Sequence, residues 1–171
     1  MSTPLSTLAL AQLDQTYRAL DIILGKAETH AGDASVDEGV YLGWRLAANM
    51  YPLVKQVQLV SDFSVRGLCR LAGADPVSMP DDETSFAALR ARIAKAREAV
   101  WALDKAAIDA DPDGMVTFPA GPGREMTLPR RTYLQNFVFA NVMFHTSIAY
   151  GILRQIGVPL GKTDILAVQG S

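Results

Sequence analysis

The sequence is poor in the side chains that most often hold metals or form cross-links. It has a single cysteine, Cys69, and only two histidines, His30 and His145. One cysteine excludes a disulfide within the chain and points to a reducing compartment. Two histidines exclude a three-histidine metal site within one chain, so any metal would have to recruit carboxylates or amides. We interpret Cys69 as a small buried apolar side chain on a helix.

Charge imbalance, targeting segments and catalytic motifs are also lacking. The net charge of −2 gives no reason to expect nucleic acid or an anionic membrane as a partner. Residues 1–10 lack the basic start and apolar run of a signal peptide. The longest apolar run, 137–152, is shorter than the roughly 20 residues of a membrane span. Gly161-Lys162-Thr163 follows a helix pattern instead of opening one, so we reject it as a P-loop. We therefore predict a soluble, cytoplasmic protein.

Apolar residues are abundant and regularly spaced. They make up 49% of the chain against 20% charged residues, as in globular proteins, and 171 residues suffice for one domain, 1–171. Apolar side chains recur at steps of three and four along four stretches, which predicts amphipathic helices. These stretches are 6–27, 50–72, 86–107 and 131–156. Their pattern indicates an all-α protein in which the helices pack as an antiparallel bundle.

The segments between these helices have different predicted structures. Gly and Asp residues in 29–49 suggest a long loop that covers one end of the bundle. In 111–129, apolar and polar residues alternate around a Gly-Pro turn, which predicts a short β-hairpin between the third and fourth helices. Most of the charged residues off the apolar stripes are expected to face water: Asp62, Arg66, Arg90, Arg92, Lys95 and Arg97.

The fourth predicted helix is apolar on nearly every side, which indicates burial in the core or against a partner. We expect Phe144 to be buried, so that Phe144→Ala would cost roughly 3–5 kcal/mol. The small residues on the same face, such as Gly151, would let a second helix approach, from this chain or from another copy. His145 lies on another apolar face of this helix. It is either a core histidine bonded to Asn141, one turn away, or a group that binds a metal or moves a proton.

Four segments together resemble a known family. They are YPLVKQVQLVSDFS at 51–64, RLAG at 70–73, DDETSFAALRARI at 81–93 and the C-terminal NFVFANVMFHTSIAYGILRQIGVPLGKTDIL. In residues and in order they are similar to an uncharacterised bacterial family of unknown function in the DinB/YfiT-like superfamily. The resemblance implies an up-down four-helix bundle, often dimeric, and the hairpin predicted here would be an insertion in it.

The resemblance also implies a place for a metal. Superfamily members often hold a divalent ion on three histidines between helices, and some are thiol-dependent transferases or isomerases. His145 resembles the first histidine of the helical HxxxH pair, Ala149 stands at the second, and Gln56 lies near the third. Because two of the three ligands are replaced, we predict no metal; His145 is the one candidate ligand if zinc, nickel or manganese binds.

Three functions follow as hypotheses. The first is a small-molecule binding protein whose degenerate metal site is a cavity lined by His145, Asn141 and Gln56, and closed by Trp44 or Tyr41. The second is a metal-dependent or thiol-dependent enzyme of the superfamily type. The third is a non-catalytic protein that forms a homodimer through its helix faces.

Overall fold

The structure, a computed structural model, describes residues 3–167. It is mostly helical, with one small antiparallel sheet, as the sequence predicts. The elements in chain order are α1 (Leu5–Ala34), α2 (Glu38–Leu42), α3 (Leu53–Ala72), α4 (Phe86–Trp101), α5 (Lys105–Asp109), β1 (Met115–Pro119), β2 (Glu125–Pro129), α6 (Arg130–Gln155) and α7 (Lys162–Leu166).

The four long helices share one hydrophobic core. Helix α3 packs against α4 and α6, and α1 packs against the same two helices. The predicted stripe of α3 is confirmed, since all of its members are buried: Leu53, Val57, Val60, Ser64, Leu68 and Leu71. The stripe of α4 is likewise buried from Phe86 to Val100. Burial of these side chains is the main term that holds the helices together.

Helix α1 ends seven residues later than predicted, at Ala34 instead of residue 27. It continues through His30 to Ala34, and Ser35 after it is left-handed with φ 54°. Ala27 and Ala31 extend the buried stripe past Gly25, and a helical glycine costs only about 1 kcal/mol, which this packing offsets. The predicted 29–49 loop is therefore wrong over much of its length, and it also contains the short helix α2.

Two other helix ends differ from the prediction. Helix α3 begins at Leu53, three residues later than predicted, with Pro52 as its cap; it ends at Ala72 as predicted, and Gly73 after it is left-handed with φ 66°. The predicted 86–107 helix is divided: α4 ends at Trp101, and Asp104 caps the separate helix α5 by accepting a hydrogen bond from the Ala106 N–H. A side chain that accepts this bond competes with continued helix and favours a new start.

Arg92 corrects the prediction that the arginines of α4 face water. Only 2% of its side chain is exposed. It donates from Nε to Ser61, from Nη1 to Glu83 and from Nη2 to Asp62, at 2.6, 2.9 and 2.8 Å. The segment between α3 and α4 folds back over the groove between these helices, which encloses a guanidinium that helical spacing alone would leave at the edge.

The predicted hairpin is confirmed and leans on α6. Strands β1 and β2 pair with Val116 opposite Leu128. The Phe118 ring is fully buried and lies 4.6 Å from the Tyr133 ring and 4.4 Å from the Phe137 ring, between centroids. These contacts supply the packing that a two-stranded hairpin lacks in isolation.

Helix α6 differs from the prediction in two ways. Its Tyr133–Phe139 stretch is π-helical, and one side of it is uncovered, since Phe144 is 55% exposed and Met143 is also exposed. The expectation that Phe144 is buried is therefore wrong: α6 packs mainly against α1 and α3, and Phe144 lies on a face that neither helix covers. Among the described residues, α6 is the one helix long and apolar enough to span a membrane. Core helices pass the same test.

Candidate functional site

His145 and Gln56 meet where α6 packs against α3. Gln56 lies in the first turn of α3, and His145 lies near the middle of α6. The His145 Nδ1 atom is 2.7 Å from the Gln56 Oε1 atom, and the exposed fractions of the two residues are 8% and 2%. The structure thus brings together two of the four predicted site residues.

A third group fixes the direction of this hydrogen bond. The Gln56 Nε2 atom donates to the Tyr51 carbonyl oxygen at 2.9 Å, which leaves the Gln56 Oε1 atom turned toward the imidazole. A carbonyl oxygen can only accept, so the Nδ1 atom of His145 carries the proton. The Nε2 atom then has a free lone pair and acts as an acceptor.

The imidazole is neutral and held between aromatic rings. Burial lowers the pKa of His145, so that the ring carries no charge near neutral pH. The Phe63 ring stacks on it at 5.7 Å between centroids, and the Phe144 ring meets it edge-on at 5.1 Å. These contacts leave the ring little freedom to rotate.

The Nε2 atom of His145 reaches the molecular surface. It has no hydrogen-bond partner among residues 3–167, and it is not one of the fully enclosed side-chain atoms that lack a partner. The small exposed part of His145 therefore includes its acceptor atom. The site offers one fixed lone pair beside the exposed Phe144 ring.

Asn141 and Trp44 lie apart from this pair. Asn141 donates to the Phe137 carbonyl oxygen at 2.7 Å, within its own helix, so the predicted Asn141–His145 hydrogen bond is replaced by the bond to Gln56. Trp44 donates to Gln155 at 3.4 Å and borders a cavity of about 300 Å³ at one end of α6. His145 is not among the residues that line that cavity.

The side chains around His145 do not fit a metal ion held by three histidines, as in the superfamily. Ala149, in the place of the second histidine, is a fully buried methyl group, and the Gln56 oxygen already accepts the proton of Nδ1. Within residues 3–167, no three histidine, cysteine or acidic side chains come together at a distance suitable for an ion. A structural or catalytic zinc ion needs three or four such ligands.

Sequence reasoning placed His145 and Gln56 at one site but did not predict the hydrogen bond between them, and it missed a second feature nearby. A cavity of about 180 Å³ lies two turns along α6, and Phe63, Tyr133, Phe137, Arg66 and Arg70 are among the residues that line it. The spacing of Tyr133 and Phe137, one turn apart, places both rings on one side of a helix. No pattern in the sequence indicates that Phe63 and the hairpin complete the walls.

Comparisons with known proteins agree with this fold. The family model described as a domain of unknown function, DUF1993, matches residues 5–166. This chain is similar to a DinB family member from Shewanella denitrificans whose crystal structure is known. The two sequences are 32% identical, and the structures match with a TM-score of 0.87 over 98% of this chain and 94% of that one. No curated protein gives a significant match. The predicted resemblance is confirmed: the chain belongs to the DUF1993 family of DinB-like proteins.

Proposed function

We propose that this chain is a DinB-type up-down four-helix bundle that binds a small organic molecule without a metal. The observation that carries the proposal is the chain of hydrogen bonds from Tyr51 through Gln56 to His145. In metal sites a second group commonly orients the imidazole toward the ion. Here Gln56 orients the His145 imidazole in the same way and leaves its Nε2 lone pair available. The two other histidine ligands of the superfamily site are replaced in this chain.

The chemistry of this site favours a neutral donor. A neutral imidazole accepts a hydrogen bond from an O–H or N–H group, and the Phe144 ring beside it offers apolar contact. A ligand with a hydroxyl or amide group on a small apolar body matches both features. Because Gln56 fixes the acceptor in advance, little ordering is needed on binding.

We further propose a homodimer through the exposed face of α6. Phe144, Gly151 and Gln155 lie on one face of this helix, since they are seven and eleven residues apart. Leu46 lies over Gly151, and Trp44 bonds to Gln155. Phe144, Trp44 and Leu46 are exposed. A second copy on this apolar face would cover the shallow site beside His145 and make it concave.

One experiment tests the binding proposal. Histidine-labelled protein is titrated with phenol, a neutral donor on a small ring, and the NMR signals of both imidazoles are followed. We expect a saturable shift at His145 and affinity at least about tenfold lower in His145→Phe, which removes the acceptor and keeps the ring. The control His30→Gln should leave binding unchanged. Equal binding in His145→Phe and wild type would refute the role of His145.

Metal analysis separates this proposal from the alternative of a metal-dependent enzyme. Purified protein is assayed for zinc, nickel and manganese, and its melting temperature is measured with each ion added. We expect substoichiometric metal and no rise in melting temperature, because an ion bound only to the folded state would stabilise it. One equivalent of metal that His145→Phe abolishes would support the enzyme alternative instead.

A further inference from the structure

A second candidate site lies between α3, β1 and the π-helical stretch of α6. This cavity, of about 180 Å³, is lined by Phe63, Pro119, Tyr133, Phe137, Arg66 and Arg70, among others. Phe137 is eight residues before His145, about two helical turns. The cavity is therefore separate from the acceptor atom of His145, although the Phe63 ring borders both.

The walls of the cavity suit a flat apolar group. The Phe63 and Phe137 rings are 5.8 Å apart with an interplanar angle of 72°, and Tyr133 stacks on Phe137 at 5.6 Å. Phe118 supports both α6 rings from behind. Aromatic rings favour edge-to-face and offset contacts with another ring. The cavity volume is close to that of an engineered apolar cavity of about 150 Å³ that binds benzene.

The rim of the cavity has an excess of positive charge. Arg70 donates from Nη1 to the Tyr133 hydroxyl at 2.9 Å, and it has no carboxylate partner in the described part of the chain. Arg66 is 65% exposed and lies 3.6 Å from Asp62, but Asp62 is closer, at 2.8 Å, to the buried Arg92. Two arginines thus line the cavity with one carboxylate, Asp62, which is shared with Arg92.

The backbone at this cavity is unusual. Seven residues, Tyr133–Phe139, form a π-helix, and π-helical turns are rare and frequently occur at functional sites. This stretch carries both Tyr133 and Phe137 into the wall of the cavity. The nearby side chain of Asn141 bonds to the Phe137 carbonyl oxygen and so supports the end of the stretch.

We propose that this cavity binds a small aromatic carboxylate of about the size of benzoate. The ring would lie against Phe63 and Phe137, and the carboxylate would reach Arg70 and Arg66, because guanidinium groups pair well with carboxylates. This site goes beyond the binding proposed at His145 and does not depend on it.

Benzoate itself is the probe. Backbone and aromatic NMR signals of the full chain are followed during titration with sodium benzoate, with benzyl alcohol and acetate in parallel. We expect saturable shifts centred on Phe63, Tyr133 and Phe137, and binding at least about tenfold tighter for benzoate than for either comparison compound. Shifts centred elsewhere, or equal affinity for benzyl alcohol, would overturn the proposal.

Variants test the two arginines separately. Arg70→Gln should weaken benzoate binding at least about tenfold, whereas the matched control Arg154→Gln, near the end of α6, should change it less than about twofold. Arg66→Gln alters an exposed side chain without disturbing the fold, and should weaken binding at least about threefold. His145→Phe should leave benzoate binding unchanged. The proposal at this cavity can therefore fail without the proposal at His145 failing, and the reverse also holds. Full affinity in both Arg70→Gln and Arg66→Gln would refute the assignment.

Discussion

Arg92 is a buried charged residue that needs a partner for each of its guanidinium nitrogens. Its guanidinium is buried, yet all of its nitrogens have partners, including the Pro80 carbonyl oxygen at 2.8 Å. Burial lowers the pKa of Arg92, but Glu83, Asp62 and Asp81 outweigh that effect and raise it overall. The side chain therefore stays charged and ties the segment before α4 to α3.

Removing this charge should be far more costly than removing an exposed one. We expect Arg92→Met to lower the free energy of unfolding by about 3–5 kcal/mol, because the buried Glu83 loses its cation and Asp62 keeps only the more distant, exposed Arg66. The control Arg90→Met removes an arginine whose side chain is 40% exposed and pairs with Asp21 and Glu28, and should cost less than about 1 kcal/mol. Urea unfolding measures both. Similar losses of unfolding free energy in the two variants would show that the buried Arg92 network stabilises the fold no more than the ion pairs of Arg90 do.

The protonation of His145 predicts how stability depends on pH. The unfolded imidazole takes up a proton below about pH 6.5, whereas the buried ring, whose pKa is lowered, takes it up only at lower pH. Since the unfolded state binds more protons in that window, the free energy of unfolding falls as the pH drops through it. Urea unfolding at about pH 7.5 and pH 5.5 should show a larger loss in wild type than in His145→Gln. Equal losses would contradict the lowered pKa.

At the scale of single residues, the sequence predicted where a side chain lies better than which residue it bonds to. The apolar spacing of α6 places His145 toward the interior, as found. Its partner, Gln56, is 89 residues away in the chain, and the choice between Gln56 and Asn141 depends on how two helices face each other. Arg92 shows the same limit, because its burial depends on where a loop folds back.

At the scale of elements, α3 and α6 approach closely at Gly67. A Cβ atom at Gly67 would stand 2.7 Å from one Val138 methyl group and 2.9 Å from the other. Val138 is fully buried and branched at Cβ, so it has little room to move. Gly67 therefore sets the distance between the helices that carry Gln56 and His145.

Adding one methyl group at this contact tests it. We expect Gly67→Ala to destabilise the protein by about 1–3 kcal/mol through overpacking. The control Gly32→Ala lies in α1 with open space around it, and should stabilise by about 0.5–1 kcal/mol through helix propensity. Thermal unfolding compares the two, and Val138→Ala in the Gly67→Ala background should recover part of the loss. A stabilising Gly67→Ala would mean that the helices are farther apart.

The elements themselves were largely predictable because their stripes are regular. The apolar spacing of α3 and α4 and the alternation around the β-hairpin identify these elements, although the spacing of α4 runs on into the separate helix α5. Helix ends were less predictable, since α1 continues past Gly25 only because its later alanines are buried. The residue spacing gives no signal of the π-helical stretch, and the rings of this stretch contact Phe118 of the distant hairpin.

At the scale of the whole molecule, the uncovered face of α6 is the feature that calls for a partner. Two large side chains, Phe144 and Met143, are exposed on a helix whose other faces form the core. Contiguous apolar surface of this kind commonly marks an interface. It borders the acceptor atom of His145, which links the proposed homodimer to the proposed binding site.

A charge on this face should separate the subunits. We expect Phe144→Glu to convert a dimer to a monomer in sedimentation velocity, while the unfolding free energy of the monomer changes by less than about 1 kcal/mol, because the side chain is exposed. The control Met126→Glu changes an exposed methionine of the hairpin and should leave the dimer intact. A Phe144→Glu protein that sediments as wild type would rule out this interface.

The central claim is that Gln56 orients the imidazole of His145 and that no metal binds there. The tautomer of His145 tests this claim most directly. Long-range nitrogen–proton NMR of histidine-labelled protein near neutral pH distinguishes the two ring nitrogens. We expect the proton on Nδ1 and an unprotonated Nε2 atom without bound metal, and Gln56→Leu should allow the other tautomer to form. A proton fixed on Nε2, or an Nε2 signal typical of zinc coordination, would contradict it.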